Sequence, residues 1–439
     1  MAKMHVNITI SPNFEAQVTL PVSKSVVNRE LLINAQWSLA KSTLKEGKTE
    51  RQISSESEPP PLQGGLRGAP RGDRGGAPFN EPDDIAAMRR GLAAHDGDTV
   101  DLHGAGTALR FLTAYWATRE GCTVTLTGND RLCQRPIAPL VDALRQLGAD
   151  IDYVHTQGFA PLRITGRRLH AGRLKLGGGV SSQFVSALLM IAPTIGGLEL
   201  ELKGDIVSRP YIDMTLALME RHGVTAHWHG QMITVPAGDY LPAPAVDEGD
   251  WSAAAFWLAL QALLPQARIT LHGLRPDSVQ GDRRILTILE QMGMQAHWHD
   301  DGSLTADMGL ADCCCCSTFA DLTGTPDLAP VLVAMLCLMG RPFRITGLRT
   351  LRHKESDRLE ALRQELRKVG YVITIEGDDA VTWHFATCEP QEHPVIDPHD
   401  DHRIAMAMAL AAVRHPGLVI ANAHCVDKSY PGLWDYFNR

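Results

Sequence analysis

The sequence predicts an α/β fold in two domains, each assembled from three copies of one repeated unit. Three observations predict it. A short polar turn opens a helix of small and apolar residues at six places along the 439-residue chain. A second series of helices alternates with the first, and four of its members stop on glycine. Short β-type runs fill the gaps between them. Self-similarity on this scale marks a supersecondary unit that cannot bury its apolar face alone. The length suffices for two domains with well-buried cores.

In chain order, the first-series openings are Ser23-Lys24-Ser25, Gly106-Thr107, Ser181-Ser182-Gln183, Asp250-Trp251-Ser252, Pro326-Asp327 and Asp400-Asp401-His402-Arg403. Ser23 is placed to cap the first of these helices, and one serine of the 181–182 pair to cap the third. The second series is expected to begin near Asp84, Arg135, Arg209, Asp282, Glu355 and Lys428. Its last four starts are evenly spaced, about 73 residues apart, as stacked units require. Leu147-Gly148-Ala149, His222-Gly223-Val224, Met292-Gly293-Met294 and Val369-Gly370-Tyr371 each read as a helix stopped by glycine and followed by a strand. Strands are expected at 123–126, 198–202 and 268–271. Residues 55–79 break the pattern. They are rich in Pro, Gly and Arg without apolar periodicity, and read as a disordered surface insertion. Its Arg67, Arg71 and Arg74 could touch an acidic partner, but an inert insertion is the default expectation.

Composition narrows the function. Hydrophobic residues make up 44% and charged residues 21%, with a net charge of −8. There is no global basic field for nucleic acid or an anionic membrane, so any anion site must come from local cations. No apolar run has transmembrane length, and residues 1–20 lack a signal-peptide pattern, so a cytoplasmic location is expected. The nine cysteines include a run of four, Cys313 to Cys316. Neighbouring cysteines bridge poorly, and no second ligand pair stands at zinc spacing. Neither a metal nor a cofactor is expected.

The openings carry most of the interesting polar residues. Helix N-termini offer free N–H groups and partial positive charge, so several aimed at one point make an anion site. Lys24 and Arg29 in the first turns of a helix are unfavourable unless an anion reverses the sign. Gly106 leaves room for a ligand to approach the backbone, and Arg135 directly precedes a helix-starting proline. Ser181, Ser182 and Gln183 supply two hydroxyls and an amide. Lys354, Arg358, Arg403 and Lys428 add cations in the later repeats. Each alone reads as an ordinary cap or ion pair. Their joint placement at the starts of successive repeats does not read as surface decoration.

These segments resemble the 5-enolpyruvylshikimate-3-phosphate (EPSP) synthase family of enolpyruvyl transferases. The resemblance rests on Leu20-Pro21-Val22-Ser23-Lys24-Ser25-Val26-Val27-Asn28-Arg29, Ala105-Gly106-Thr107-Ala108-Leu109-Arg110, Arg135-Pro136-Ile137 and Val180-Ser181-Ser182-Gln183-Phe184. It continues through Ser208-Arg209-Pro210-Tyr211-Ile212-Asp213, Pro326-Asp327, Lys354-Glu355-Ser356-Asp357-Arg358-Leu359, Asp401-His402-Arg403 and Lys428, all in family order. It implies two domains of three βαβαββ units, 22–246 and 1–21 plus 247–439, with crossovers near residue 21 and near Val246-Asp247-Glu248 and an active site in the interdomain cleft. It implies transfer of the enolpyruvyl group of phosphoenolpyruvate to the 5-hydroxyl of shikimate 3-phosphate. By resemblance, Lys24, Ser25, Arg29, Ser181, Ser182, Gln183, Ser208, Asp327 and Lys354 hold shikimate 3-phosphate. Lys24, Gly106, Arg135, Gln183, Arg358, Arg403 and Lys428 hold phosphoenolpyruvate. Asp327 resembles the base, Glu355 the proton donor, and Lys24 shares in proton transfer. Inhibition by glyphosate is implied through Gly106, and a monomer is expected.

The bland readings are a helix cap for Asp327 and an ion pair with Arg358 for Glu355. Val22, Gln134, Thr350 and Glu81-Pro82-Asp83-Asp84 depart from the family pattern without removing a catalytic group. Two rival functions remain. One is the sister transferase acting on UDP-N-acetylglucosamine, which uses a loop cysteine; Cys122 and Cys133 lie near that region but in no such motif. The other is a non-catalytic anion-binding relative, which would be expected to lose Asp327, Glu355 or Lys24.

Overall fold

Repeated βαβαββ wiring is visible in the sheets. In a computed structural model, residues 4–46, 81–309 and 317–437 are described. The expected insertion at 55–79 and the Cys313–Cys316 run lie outside the described residues. Two compact units result. Among the described residues one takes 4–24, 81–83, 248–309 and 317–437, and the other 25–46 and 84–247.

Four sheets of four strands share one strand order: first, second, fourth, third. In the second unit, Thr99–Asp101 pairs in parallel with Thr123–Thr127, which pairs antiparallel with Leu162–Thr165, itself antiparallel to Asp150–Tyr153. Gly172–Gly177, Leu198–Lys203, Met232–Val235 and His227–His229 repeat that order. In the first unit it recurs in Thr318–Asp321, Phe343–Thr346, Ala380–Trp383 and Thr374–Glu376. The remaining sheet draws its first strand, Glu15–Thr19, from the N-terminal segment and sets Ala16 opposite Ile269 of Arg268–His272. Leu304–Met308 and Met294–Trp298 complete it. A three-stranded sheet joins Val6–Ile8 to Leu418–Ile420 and Val395–Ile396. Each parallel pair needs a crossover; between Glu15–Thr19 and Arg268–His272 that connection carries the whole second unit before the helix Trp251–Leu263 leads into the strand.

The two helix series divide by burial. First-series helices such as Trp251–Leu263 and Ala329–Leu338 are apolar all round and buried along nearly their whole length, as a helix enclosed by other elements must be. Second-series helices such as Arg209–Arg221 and Arg358–Lys368 bury one face and expose the other. All six expected openings lie at helix starts, at Lys24, Gly106, Ser182, Trp251, Pro326 and His402. The four glycine stops all hold positive φ, at Gly148 (102°), Gly223 (83°), Gly293 (99°) and Gly370 (97°). Three of them close with a wide 6→1 hydrogen bond, Ala149 N to Leu144 O, Val224 N to Met219 O and Tyr371 N to Leu366 O, each 3.0 Å.

Three local expectations are corrected. Pro136 does not start a helix; the helix after Arg135 runs Ala138–Gln146, with Ile137 at its N-cap. Ser23 does not spend its hydroxyl on a cap; it donates to Gln280 Oε1 at 2.7 Å. Lys428 does not open a helix; it ends the 3-10 turn Ala423–Lys428. Pro431 and the left-handed Gly432 follow, and neither continues a helix.

Candidate active site

The openings of the first unit converge on one buried web of charge. Arg358, 1% exposed in its side chain, lies in the first turn of Arg358–Lys368 and is ringed by three carboxylates. Its Nε donates to Asp401 Oδ2 at 2.7 Å and its Nη2 to Asp401 Oδ1 at 3.2 Å. Its Nη1 donates to Asp327 Oδ1 at 2.8 Å, and Nη2 also to Glu355 Oε2 at 2.9 Å. Asp401 is fully buried and also caps the helix His402–Ala409 through Arg403 N. It takes a further hydrogen bond from the Ser356 hydroxyl. Burial alone would favour neutral Arg358, but Asp401, Asp327 and Glu355 outweigh it and raise its pKa.

Asp327 sits in the 3-10 turn Pro326–Leu328 and caps nothing with its side chain. It faces Lys354 Nζ at 3.2 Å, Arg358, and Arg403 Nη2 at 3.2 Å. Burial pulls its carboxyl up, but Arg403, Lys354 and Arg358 together hold it well below the usual carboxylate range. Glu355 makes the expected ion pair with Arg358 and accepts from Lys428 Nζ at 2.6 Å. Lys24 Nζ lies 3.4 Å from His402 Nε2. Burial first, then the Lys24 and Arg403 charges, push the His402 imidazole well below its ordinary value, so a neutral ring faces the ammonium. Lys24, Asp327, Lys354, Glu355, Arg358, Arg403 and Lys428 therefore meet within one unit.

The second unit holds a separate group. The helix Gly106–Ala117 starts against two guanidinium groups: a Cβ built on Gly106 would lie 2.5 Å from Arg135 Nη1 and 2.8 Å from Arg110 Nη1. Gln183 Nε2 donates to Thr107 Oγ1 at 3.0 Å, joining the starts of two helices. Ser181 caps the second of these, accepting from Gln183 N at 3.3 Å, and Ser182 is buried beside it. Ser208 takes the left-handed region (φ 56°) ahead of Arg209–Arg221, whose N-terminus it does not cap with its side chain. A non-glycine residue holds that conformation only where its surroundings impose it.

Arg29 is committed inside this unit. It donates to Thr215 Oγ1 (2.7 Å), Ser25 O (2.7 Å), Ser186 Oγ (3.3 Å) and Tyr211 O (3.2 Å), and burial lowers its pKa to about 10. Arg29 thus ties the first helix to two others, and reaches the turn of Ser208.

The sequence had not marked Asp401, His402, Thr107 or Arg110 as site residues. Asp401 had a readable signal, an Asp directly before an apolar helix. Its pairing with Arg358, 43 positions away in sequence, had none.

A family model for EPSP synthase (3-phosphoshikimate 1-carboxyvinyltransferase) matches residues 83–437. The chain belongs to the EPSP synthase family. It is 39% identical over 434 residues to the 3-phosphoshikimate 1-carboxyvinyltransferase of Bacteroides fragilis, covering 98% of this chain and 97% of that one. The enzyme of that name from Actinobacillus succinogenes is 34% identical over 448 residues, covering 98% and 99%. An EPSP synthase structure from Acinetobacter baumannii aligns with a TM-score of 0.68 at 20% identity, covering 100% of this chain and 98% of that one. At that identity the likeness establishes the fold, the two-domain EPSP synthase architecture. The rival transferase on UDP-N-acetylglucosamine is not favoured by these names. Its cysteine requirement also finds little here: Cys133 ends the four-residue helix Asp130–Cys133, with Sγ donating to Gly128 O at 3.5 Å.

Proposed function

We propose a division of labour for the EPSP synthase reaction among the residues of the two groups. The 5-hydroxyl of shikimate 3-phosphate adds to C2 of phosphoenolpyruvate as C3 gains a proton. The tetrahedral intermediate then loses phosphate, and C3 gives the proton back. Asp327 accepts the hydroxyl proton, Glu355 serves C3, and Lys24 shares in proton movement. Arg135, Arg358, Arg403 and Lys428 take the anionic groups of phosphoenolpyruvate, with the Gly106 backbone and Gln183 alongside. Ser25, Arg29, Ser181, Ser182, Ser208 and Lys354 take shikimate 3-phosphate. Forked guanidinium groups suit carboxylate and phosphate, and an acid–base pair suits a reaction in which one proton leaves oxygen and another enters carbon.

One observation carries this reading: Asp327 and Glu355 share a single web of Lys354, Arg358, Arg403 and Lys428. Without substrate those cations keep Asp327 a weak base. Two polyanionic substrates compete for the same cations. As the cations turn to substrate, the lowering influence on Asp327 falls and its basicity rises. Substrate binding thereby prepares its own base.

Glyphosate, itself carrying a carboxylate and a phosphonate, would take the place of phosphoenolpyruvate beside Gly106. We further propose a cytoplasmic monomer; among the described residues no helix is long and apolar enough to cross a membrane. The decisive assay is phosphate release from phosphoenolpyruvate with shikimate 3-phosphate and, separately, with UDP-N-acetylglucosamine. Release with the first alone, suppressed by glyphosate, is expected. Release with the second alone would overturn the assignment.

A further inference from the structure

We propose that Ser252 and Asp282 are positioning residues that hold Arg403 against Asp327; the inference rests on the roles given above to those two residues. Ser252 stands in the first turn of Trp251–Leu263, but that helix start is already satisfied. Asp250 accepts from Ser252 N at 2.7 Å and Ala253 N at 3.2 Å. The Ser252 hydroxyl is engaged elsewhere. It donates to Asp282 Oδ2 and accepts from Arg403 Nη2 at 3.1 Å. A hydroxyl has one hydrogen, so donation to a buried carboxylate leaves its lone pairs for the guanidinium. The same Arg403 Nη2 lies 3.2 Å from Asp327 Oδ2, and Nη1 lies 3.4 Å from Asp327 O. The chain is Asp282, Ser252, Arg403, Asp327.

Asp282 is buried at the 3-10 turn Gly281–Arg283, which leads into Arg284–Glu290. The relay therefore joins the start of a first-series helix to that of a second-series helix. Arg403 must let go of Asp327 if it is to grip a substrate carboxylate. A second anchor that is not released keeps the guanidinium in place through that exchange, and Ser252 supplies it. Arg403 and Ser252 also line one small pocket together with Asp250, His402, Met406 and Ser429. A placement error near 1 Å at such a group is costly in rate or binding.

A purely structural role would lower stability and leave the balance between the two substrates untouched. The test is steady-state kinetics on Ser252→Ala, Ser252→Thr, Arg403→Lys and the Ser252→Ala/Arg403→Lys double variant, in the full-length enzyme. Ser252→Ala is expected to raise the KM for phosphoenolpyruvate about tenfold, the size of losing one hydrogen bond to a charged group. The KM for shikimate 3-phosphate should stay within about twofold, and Ser252→Thr, which keeps the hydroxyl, should restore the parent value. In the Arg403→Lys background the Ser252→Ala change should add nothing, because coupled residues are non-additive. Equal effects on both substrates, or full additivity in the double variant, would overturn the proposal. An unchanged phosphoenolpyruvate KM in Arg403→Lys alone would instead overturn the role of Arg403 on which it rests.

Discussion

At Gly106 a single hydrogen decides what the neighbouring guanidinium can do. A methyl group there would lie 2.5 Å from Arg135 Nη1 and 2.9 Å from Arg135 Cζ. It would also lie 2.8 Å from Arg110 Nη1, so the ends of both arginines must then move. Gly106→Ala is expected to raise the phosphoenolpyruvate KM about tenfold through misplacement of Arg135, and to weaken glyphosate inhibition with it. Steady-state kinetics with and without glyphosate measures both. Lys24→Met and Glu355→Gln are expected to lower turnover by about 10²–10⁴-fold, the usual worth of a proton-transfer group, with an unchanged far-ultraviolet dichroism spectrum; near-parent turnover in both would remove the proposed roles. The sequence exposed these residues because their chemistry clusters in short motifs such as Lys354-Glu355-Ser356-Asp357-Arg358. It concealed the partners of Asp282 and Asp401, since Ser252 and Arg358 are distant from them in sequence. A buried carboxylate chooses its cation by tertiary packing, and no local pattern records that choice.

Helix ends were the most legible elements. Glycine at the end of a periodic run has one physical use there, a left-handed turn, and all four expected stops adopt it. Gly370 has room around it: the nearest neighbour of an added Cβ is Cys388 O at 3.4 Å. The cost of Gly370→Ala is therefore backbone strain alone, expected at about 1–2 kcal/mol and readable as a lower denaturant midpoint. Asp401→Ala should cost more. It removes a helix cap and leaves buried Arg358 without its bidentate partner, an expected loss of about 3–5 kcal/mol. The even spacing of the second series placed a helix start at Lys428, and spacing alone does not tell the start of an α-helix from the end of a 3-10 turn. The Pro and Gly that follow within four residues were the stronger signal.

Across the whole molecule, the charge web gives stability a pH signature. Asp327 has its folded pKa below its unfolded value of about 4. Its ionised form therefore contributes stability above that value, and the contribution is lost as pH falls through the folded pKa. Asp327→Asn should be clearly less stable than the parent near about pH 7, and the gap should narrow near about pH 3. Denaturation midpoints at the two pH values check it; a gap that widens in acid would contradict the sign. Six repeated units were legible as a rhythm of openings and stops, whereas their assembly into two domains was legible only through the family resemblance, since strand partners are non-local. The N-terminal strands show what that wiring entails. Val6–Ile8 and Glu15–Thr19 find their partners only at Leu418–Ile420 and Arg268–His272. Synthesis of the stretch between Val6–Ile8 and Leu418–Ile420 takes on the order of 20–80 s at about 5–20 residues per second. The unit spanning 84–247 has all its sheet strands long before then. Vectorial synthesis thus lets the inserted half complete its sheets before the half that encloses it.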